Sequence, residues 1–347
     1  MAARAIKLTL GFHSACGVFH LTSDICLTSV CCLSGTFLPS QYSHIDVTPT
    51  MASNRIQQIA EATDAERSAY LETAGWADNP FAHSATLDEY VIPSDGTVAD
   101  IASALRDYTG PVLIHSRYSG VGKTTLLNML LESFTDYETV NIGEHNVSSY
   151  ELAAIIADEL GVGKSSSTKL TEAKIRRELE DTDRPVLIGV DEFGLNSKDT
   201  LHTVQYLNDL PNTRVLLTGM TSQWDAIGNV GSDGRAFQRR VSYEVQLEPF
   251  DREQTNEMVR RRIATVTDYD HDDYARVPLT PITADAVGEV HAQSHGIPAV
   301  ATAALSELVG LAAYRYDQIG DAEINAELAG KVEYSDPYAD RPDDSEK

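Results

Sequence analysis

The sequence predicts an α/β fold in which a five-stranded parallel sheet is covered by helices on both faces and is followed by a smaller, all-helical region. Three observations support this prediction. Five short apolar segments alternate with amphipathic segments between residues 99 and 248, a pattern typical of buried parallel sheets. A glycine-rich stretch follows the first apolar segment and opens a helix. After Pro249 the strand pattern stops and only helical patterns remain.

The predicted elements follow one another in a regular order. A helix over 54–73, a loop-like stretch and a helix over 98–109 precede the sheet. The predicted strands are 111–116, 139–143, 185–190, 214–219 and 243–247. The helices between them are 124–134, 148–160, 171–180 and 199–210, and those after them are 251–266, 283–294 and 299–316. Ser148 with Glu151 and Asp251 with Gln254 have the spacing of helix N-terminal capping pairs.

These patterns divide the chain into five segments. We predict a leader over 1–50, an N-terminal helix and linker over 51–98, an α/β core over 99–248, a helical lid over 249–332, and an acidic, disordered tail over 333–347. The leader holds all four cysteines and has no net charge, unlike the rest of the chain. We interpret it as translated upstream sequence without a fold, with Met51 as the native start. A signal peptide and a zinc or disulfide site remain as alternatives.

The charge composition is strongly acidic, with 52 acidic against 27 basic residues, of which only 8 are lysines. Such a surface is typical of proteins that stay soluble in concentrated salt, so we expect a halophilic, cytoplasmic protein. At molar salt the screening length falls to about 3 Å, and the net charge of −25 therefore does not exclude a nucleic-acid partner. Beyond residue 50 no run of 18 apolar residues occurs, so we expect no membrane span.

A phosphate-binding loop is predicted where the strand 111–116 ends in "SRYSGVGKTT". The pattern GxxxxGK[ST] fits except that Arg117 replaces its first glycine. A strand, a loop of backbone N–H groups and a helix N-terminus are what phosphate binding requires. We expect Lys123 to contact the β- and γ-phosphates and Thr124 to ligate Mg²⁺. The predicted ATP-binding residues are Ser119, Gly120, Val121, Gly122, Lys123, Thr124 and Thr125. Arg117 is expected either to face solvent or to touch a phosphate or a neighbouring subunit.

The letters GVGK occur a second time, at 161–164. This copy follows a helix instead of a strand and leads into a serine-rich stretch. We therefore predict that its glycines end the helix and that Lys164 lies in a loop without a nucleotide.

A second motif supports the first. The apolar strand 185–190 ends in Asp191 and Glu192, as a Walker B motif does. We expect Asp191 to hold Mg²⁺ with Thr124, and Glu192 to polarise the attacking water as the catalytic base. The alternative is an exposed acidic pair after a core strand.

With these two motifs in place, the sequence resembles the AAA+ ATPases, in the branch that contains the archaeal origin-recognition initiators and the ExeA- or TniB-type ATPases. The resemblance runs from "NPF" at 79–81 to about residue 315, and its further carriers are "RVLLTGMTS", "GRAFQRRVSYEVQLEPFDREQ" and "SHGIPAVATAAL". It implies the AAA+ type of P-loop NTPase fold with a small helical lid. It also implies that Thr221 or Ser222 is a polar sensor, a simple turn residue being the alternative. An arginine finger is implied among Arg235, Arg239 and Arg240, which otherwise form a solvated face.

Two departures from the family pattern affect function. Ala299 stands where the lid often carries an arginine, and too few residues follow the lid for a C-terminal winged-helix domain. We interpret the run 260–262 of arginines as a solvated helix face. The sequence therefore predicts an ATP- and Mg²⁺-dependent ATPase that drives or gates a DNA-related process such as DNA replication, as a homo-oligomer or with a protein partner, and without a winged helix. The alternative is a nucleotide-gated signalling switch with slow hydrolysis; a non-catalytic subunit is disfavoured by the intact Asp191–Glu192 pair.

Overall fold

The computed structural model describes residues 51–82, 91, 93–143, 147–182, 184–194, 198–229 and 231–334. The predicted leader, residues 1–50, and residues 335–347 of the predicted tail lie outside these described residues. The elements, in chain order, are α1 (Met51–Ala74), α2 (Asp95–Asp107), β1 (Val112–Ser116), α3 (Lys123–Ser133), β2 (Glu138–Ile142), α4 (Ser149–Glu159), α5 (Thr168–Asp181), β3 (Val186–Val190), α6 (Lys198–Asn208), β4 (Thr213–Met220), α7 (Thr221–Ile227), α8 (Gly231–Gln238), β5 (Tyr243–Gln246), α9 (Arg252–Thr265), α10 (Ala284–Gln293), α11 (Pro298–Ile319) and α12 (Ala326–Ala329). A 3₁₀ segment, His271–Arg276, lies between α9 and α10.

The five strands form one parallel sheet in the order β2-β3-β4-β1-β5. All five were predicted to within two residues at each end, and the α/β fold class is confirmed. Every residue of β1 and β3 is buried, because helices cover both faces of the sheet. β3 is a continuous apolar run, whereas β1 is apolar up to Ile114 and ends in His115 and Ser116. Since the strands are parallel, their carboxyl ends meet at one edge, where β4 lies between β1 and β3.

The alternation of side chains along β3 decides which way the following residue points. Ile188 and Val190 belong to the hydrophobic cluster on one face of the sheet, whereas Leu187 belongs to the cluster on the face that α3 covers. Gly189 also faces α3, and a Cβ atom there would lie only 2.8 Å from the side chain of Leu131. Asp191 continues this register, so its carboxylate is directed toward α3.

The helical region after β5 has its own hydrophobic core. Asp251 and Gln254 cap α9 reciprocally, as their spacing predicts. The end of α1 packs into this core, since Tyr70 is buried in it and its hydroxyl donates to the carbonyl of Ala322 (3.1 Å). Phe81, in the segment after α1, is buried in the same cluster. The sequence did not indicate that the N-terminal helix joins the lid.

Two short helices after β4, α7 and α8, were not predicted. They have 7 and 8 residues, which is too short for a clear helical periodicity. Within the described part of the chain, no helix is long and apolar enough to cross a membrane.

Candidate nucleotide-binding site

The loop between β1 and α3 has the shape of a phosphate-binding loop. Gly120 and Gly122 have φ angles of +77° and +96°, a left-handed conformation that glycine adopts readily. Gly122 is the N-cap of α3 and provides no side-chain cap, so the positive end of the helix faces the cleft. The loop turns without the missing glycine, because the Ser116 hydroxyl accepts the backbone N–H of Tyr118 (3.1 Å) and Arg117 is exposed.

Lys123, the first residue of α3, is half-buried in this cleft. Its Nζ lies 3.2 Å from the carbonyl oxygen of Tyr118 and 3.4 Å from Sδ of Met220. Burial lowers the pKa of Lys123, while the nearby charges of Asp191 and Glu192 act to raise it. The ammonium group is therefore held between the loop and the two acidic residues.

Asp191 lies directly beside the start of α3. The Thr124 hydroxyl donates to Asp191 Oδ2 (2.6 Å), and the backbone N–H of Glu192 donates to Oδ1 (2.9 Å). A hydroxyl and a carboxylate are oxygen ligands of the kind that Mg²⁺ prefers. Because Thr124 donates its proton to Asp191, its oxygen lone pairs stay available, and this pair of residues fits a magnesium ion.

Glu192 lines the same cleft and is exposed to it. Its φ angle is +48°, which costs a non-glycine residue about 1 kcal/mol. The next residue offsets this strain, because the Phe193 N–H donates to the carbonyl of Thr218 on β4 (2.6 Å) and the Phe193 ring is buried. Backbone strain of this kind concentrates at functional sites.

The cleft has a volume of about 520 Å³ and lies between the sheet edge and the lid. Its polar end is formed by the phosphate-binding loop, Asp191 and Glu192. Its other walls, largely apolar, come from the segment before α2, from the start of the lid and from α11, and consist of Phe81, Ala82, Val91, Phe250, Met258, Arg262, Pro298, Ala299, Thr302 and Ala303. A polar end and an apolar end match the triphosphate and the base of a nucleotide.

The lid contacts the phosphate-binding loop through its backbone. The N–H of Ala299, in the first turn of α11, donates to the carbonyl of Gly120 (3.1 Å). A Cβ atom on Gly120 would lie 2.6 Å from Cβ of Ala299. At the position where the family pattern often has an arginine, a small residue thus allows close contact between lid and loop.

Other candidate residues lie elsewhere. Thr221 is at hydrogen-bond distance from Nδ1 of His115 (2.9 Å) and is not among the residues that line the cleft. Arg235, Arg239 and Arg240 are exposed, outside the cleft lining, and Arg240 pairs with Asp209 (2.9 Å).

The solvated helix face predicted for 260–262 is wrong for Arg262. Its side chain is only 4% exposed, lines the cleft, and donates from Nη1 to the carbonyl of Pro80 (3.3 Å). Arg261 pairs with Glu257 and lies over the ring of Tyr274. Arg261 and Arg262 therefore pack against other parts of the chain instead of facing solvent. A run of three like charges does not predict such packing.

Sequence reasoning missed one polar residue at the centre of the site. Thr218 is fully buried on β4, and its hydroxyl donates to Oδ1 of Asp191. The signal that could have found it is the threonine that interrupts the apolar strand "RVLLTG".

The comparison with known families is consistent with this geometry. Residues 118–227 match the family model of the AAA domain. Over these residues the chain is similar to an AAA domain. No curated protein sequence matches the chain.

Solved structures extend the likeness in fold to the lid. Cdc6p from Pyrobaculum aerophilum is 15% identical, with a TM-score of 0.55 over 72% of this chain and 69% of that chain. The ORC2 protein of Aeropyrum pernix, in ADPNP-ADP complexes, is 12% identical, with a TM-score of 0.54 over 74% and 72%. The ORC1 protein of Aeropyrum pernix, in complex with DNA, is 14% identical, with a TM-score of 0.50 over 69% and 64%. At these identities the likeness concerns the fold alone.

Proposed function

We propose that this chain binds ATP with Mg²⁺ in the cleft between core and lid, hydrolyses it, and uses the cycle to drive or gate a DNA-related process. One observation carries the proposal. The ammonium group of Lys123, the hydroxyl of Thr124 and the paired carboxylates of Asp191 and Glu192 lie at the same sheet edge, below a cleft of about 520 Å³.

Each residue has a role in this proposal. The backbone of 119–125 and the N-terminus of α3 bind the phosphates, and Lys123 neutralises the β- and γ-phosphates. Thr124 and Asp191 hold Mg²⁺, which supplies further charge neutralisation when bound. Glu192 is not part of that pair and is exposed to the cleft, so we assign it no metal-holding role, and its carboxylate accepts the proton of the attacking water.

Support for a DNA-related setting comes from the structural relatives alone. The ORC1 protein of Aeropyrum pernix was solved in complex with DNA, and the ORC2 protein in ADPNP-ADP complexes. We propose a homo-oligomer in which Arg239, exposed after α8, reaches the nucleotide of a neighbouring subunit, with Arg235 or Arg240 as the alternative finger. Arg240 is the weaker choice because it is paired with Asp209.

A nucleotide-gated switch with slow hydrolysis and a protein partner is the second candidate. The contact between Ala299 and Gly120 favours it. At Ala299 the lid contacts the phosphate-binding loop without a long cationic side chain that could stabilise the transition state of hydrolysis. Nucleotide binding would therefore change the position of the lid more than it would accelerate hydrolysis.

The Glu192→Gln variant tests the proposed base. We expect it to keep ATP binding and to lose at least about 100-fold in the hydrolysis rate, because the amide cannot accept the proton. Hydrolysis is measured in molar salt as phosphate release, with and without DNA, alongside the oligomeric state with ATP. The matched control is Glu178→Gln, an exposed glutamate on α5.

Equal rates for the wild type and Glu192→Gln would contradict the base assignment. Stimulation of hydrolysis by DNA would favour the first setting. Slow hydrolysis that DNA does not change, with nucleotide-dependent binding of a protein, would favour the switch.

A further inference from the structure

We propose that Thr218 is a positioning residue that orients the Asp191 carboxylate for the metal. This inference rests on the proposed function, since it assigns a supporting residue to the same site. The juxtaposition that carries it is a fully buried hydroxyl on β4 that donates to the oxygen of Asp191 facing away from Thr124.

The sheet register places the two residues side by side. Val190 on β3 is opposite Leu217 on β4, so the next residues, Asp191 and Thr218, are neighbours on adjacent strands. Leu216 belongs to the cluster on the α3 face of the sheet, and Thr218, two residues on, points the same way. On this face Thr218 follows Leu216 and precedes Met220, so the carboxyl-terminal half of β4 presents one hydroxyl there, at the carboxylate.

The two oxygens of Asp191 have different partners. Oδ1 accepts the Thr218 hydroxyl and the backbone N–H of Glu192. Oδ2 accepts only the Thr124 hydroxyl among the described residues. Two donors from the sheet side therefore fix one oxygen, and the other stays directed at α3, where Thr124 and the metal would be.

Thr218 also holds the loop that carries the proposed base. Its carbonyl accepts the N–H of Phe193, the residue after Glu192. The same residue of β4 thus contacts Asp191 with its side chain and the Glu192 turn with its backbone. A substitution of the Thr218 side chain removes the hydrogen bond to Asp191 and leaves the hydrogen bond between the Thr218 carbonyl and the Phe193 N–H, so the two effects can be measured separately.

A carboxylate that is 8% exposed depends on its protein donors for orientation. Thr218→Val keeps the shape of the side chain and removes the donor. We expect the carboxylate to rotate and metal binding to weaken, while metal-free nucleotide binding through Lys123 and the loop changes little. Thr218→Ser keeps the hydroxyl and should behave as the wild type. Thr218→Ala removes the donor without placing a methyl group against the carboxylate, and should weaken metal binding as valine does.

The experiment measures metal binding without relying on catalysis. The probe is Mn²⁺, titrated in molar salt with a non-hydrolysable ATP analogue and followed by electron paramagnetic resonance. The concentration for half-saturation is expected to rise about tenfold in Thr218→Val and Thr218→Ala, the effect of losing one hydrogen bond to a charged group. A change below about threefold is expected in Thr218→Ser.

The matched control is Thr213→Val, at the other end of the same strand. Thr213 is also fully buried, and its hydroxyl donates to the carbonyl of Pro211 instead of a carboxylate (3.2 Å). We expect it to alter the melting temperature and not the Mn²⁺ titration.

Wild-type Mn²⁺ titrations in both Thr218→Val and Thr218→Ala would overturn the inference and leave the proposed function intact. Equal shifts in Thr218→Ser and Thr218→Val would also overturn it, because the hydroxyl would then not be the cause. A wild-type chain that binds no nucleotide at all would overturn the proposed function and this inference together.

Discussion

The two GVGK segments, 120–123 and 161–164, have the same four residues, and the φ angles of their glycines are all positive. Gly120, Gly122, Gly161 and Gly163 have φ angles of +77°, +96°, +72° and +64°. Local sequence and local conformation therefore do not distinguish a phosphate-binding loop from a helix end.

What distinguishes the two segments is the element that precedes each. The second follows α4, and its backbone N–H groups are used by that helix: Gly161 donates to Asp158, and both Val162 and Gly163 donate to Ala157. These bonds end α4 in the manner of a glycine C-cap. The first follows β1 and leads into α3, so a helix N-terminus faces the cleft at its end. The comparison teaches that the same turn can end a helix or lead into the N-terminus of one, and only the second arrangement directs a helix N-terminus at the cleft, as an anion site requires.

The largest difference is expected at the two lysines. Lys123→Ala should weaken ATP binding by at least about 100-fold, because it removes the half-buried ammonium group at the phosphate end of the cleft. Lys164→Ala should leave binding unchanged, since this side chain is exposed after α4. Equilibrium titration with a fluorescent ATP analogue measures both.

The melting temperature of each lysine variant without nucleotide serves as the control for folding. Equal losses of ATP affinity in Lys123→Ala and Lys164→Ala would contradict the distinction between the two segments.

A smaller difference is expected at the first glycine of each copy. Gly120→Ala should weaken ATP binding about tenfold, because alanine is strained at a φ of +77° and its Cβ would lie 2.6 Å from that of Ala299 on the lid. Gly161→Ala has the same strain and open space around it, so we expect a loss of about 1 kcal/mol in the free energy of unfolding and no change in ATP affinity.

The Ala299→Gly substitution separates strain from the lid contact. It removes the atom that a Cβ at Gly120 would meet, so the double variant should recover part of the affinity lost in Gly120→Ala. If the double variant binds ATP no better than Gly120→Ala, the lid contact does not determine the effect. Titrations with the same ATP analogue, analysed as a double-mutant cycle, give this answer.

The sequence predicted the strands, the glycine loop between β1 and α3 and the place of the Asp191–Glu192 pair after β3, because each has a local signal: an apolar run, a glycine pattern, or an acidic pair at a strand end. It did not predict contacts between distant parts of the chain. Thr218 meets Asp191 only after strands β3 and β4 are paired, and Ala299 meets Gly120 only after the lid has packed on the core.

Arg262 is a second case in which a contact between distant parts of the chain was not predicted, here because the local sequence pattern indicated the wrong environment. Three consecutive arginines indicate solvent, yet the third lies on the inner face of α9, where it is buried against the segment that precedes α2. Adjacent residues of a helix point in directions about 100° apart around its axis, so one arginine of the run can be buried while its neighbours are not.

The smallest effect is expected at Arg117, where the glycine of the usual pattern is missing. Arg117→Gly should change ATP affinity by less than about threefold. The turn is already formed by the hydrogen bond from the Tyr118 N–H to Ser116, and the arginine side chain is exposed. The added glycine should instead lower the free energy of unfolding by up to about 1 kcal/mol, because it increases the freedom of the unfolded chain.

Thermal unfolding and ATP titration of Arg117→Gly and Arg117→Ala test this expectation together. Alanine removes the side chain without adding backbone freedom, so it should match the wild type in both measurements. A loss of ATP affinity shared by both variants would mean that the guanidinium group itself contacts a phosphate. If the two variants lose ATP affinity only under conditions in which the protein forms oligomers, Arg117 contacts the nucleotide of a neighbouring subunit. In either case the first copy of GVGK would differ from the second by one more charged group, supplied by the residue that departs from the motif.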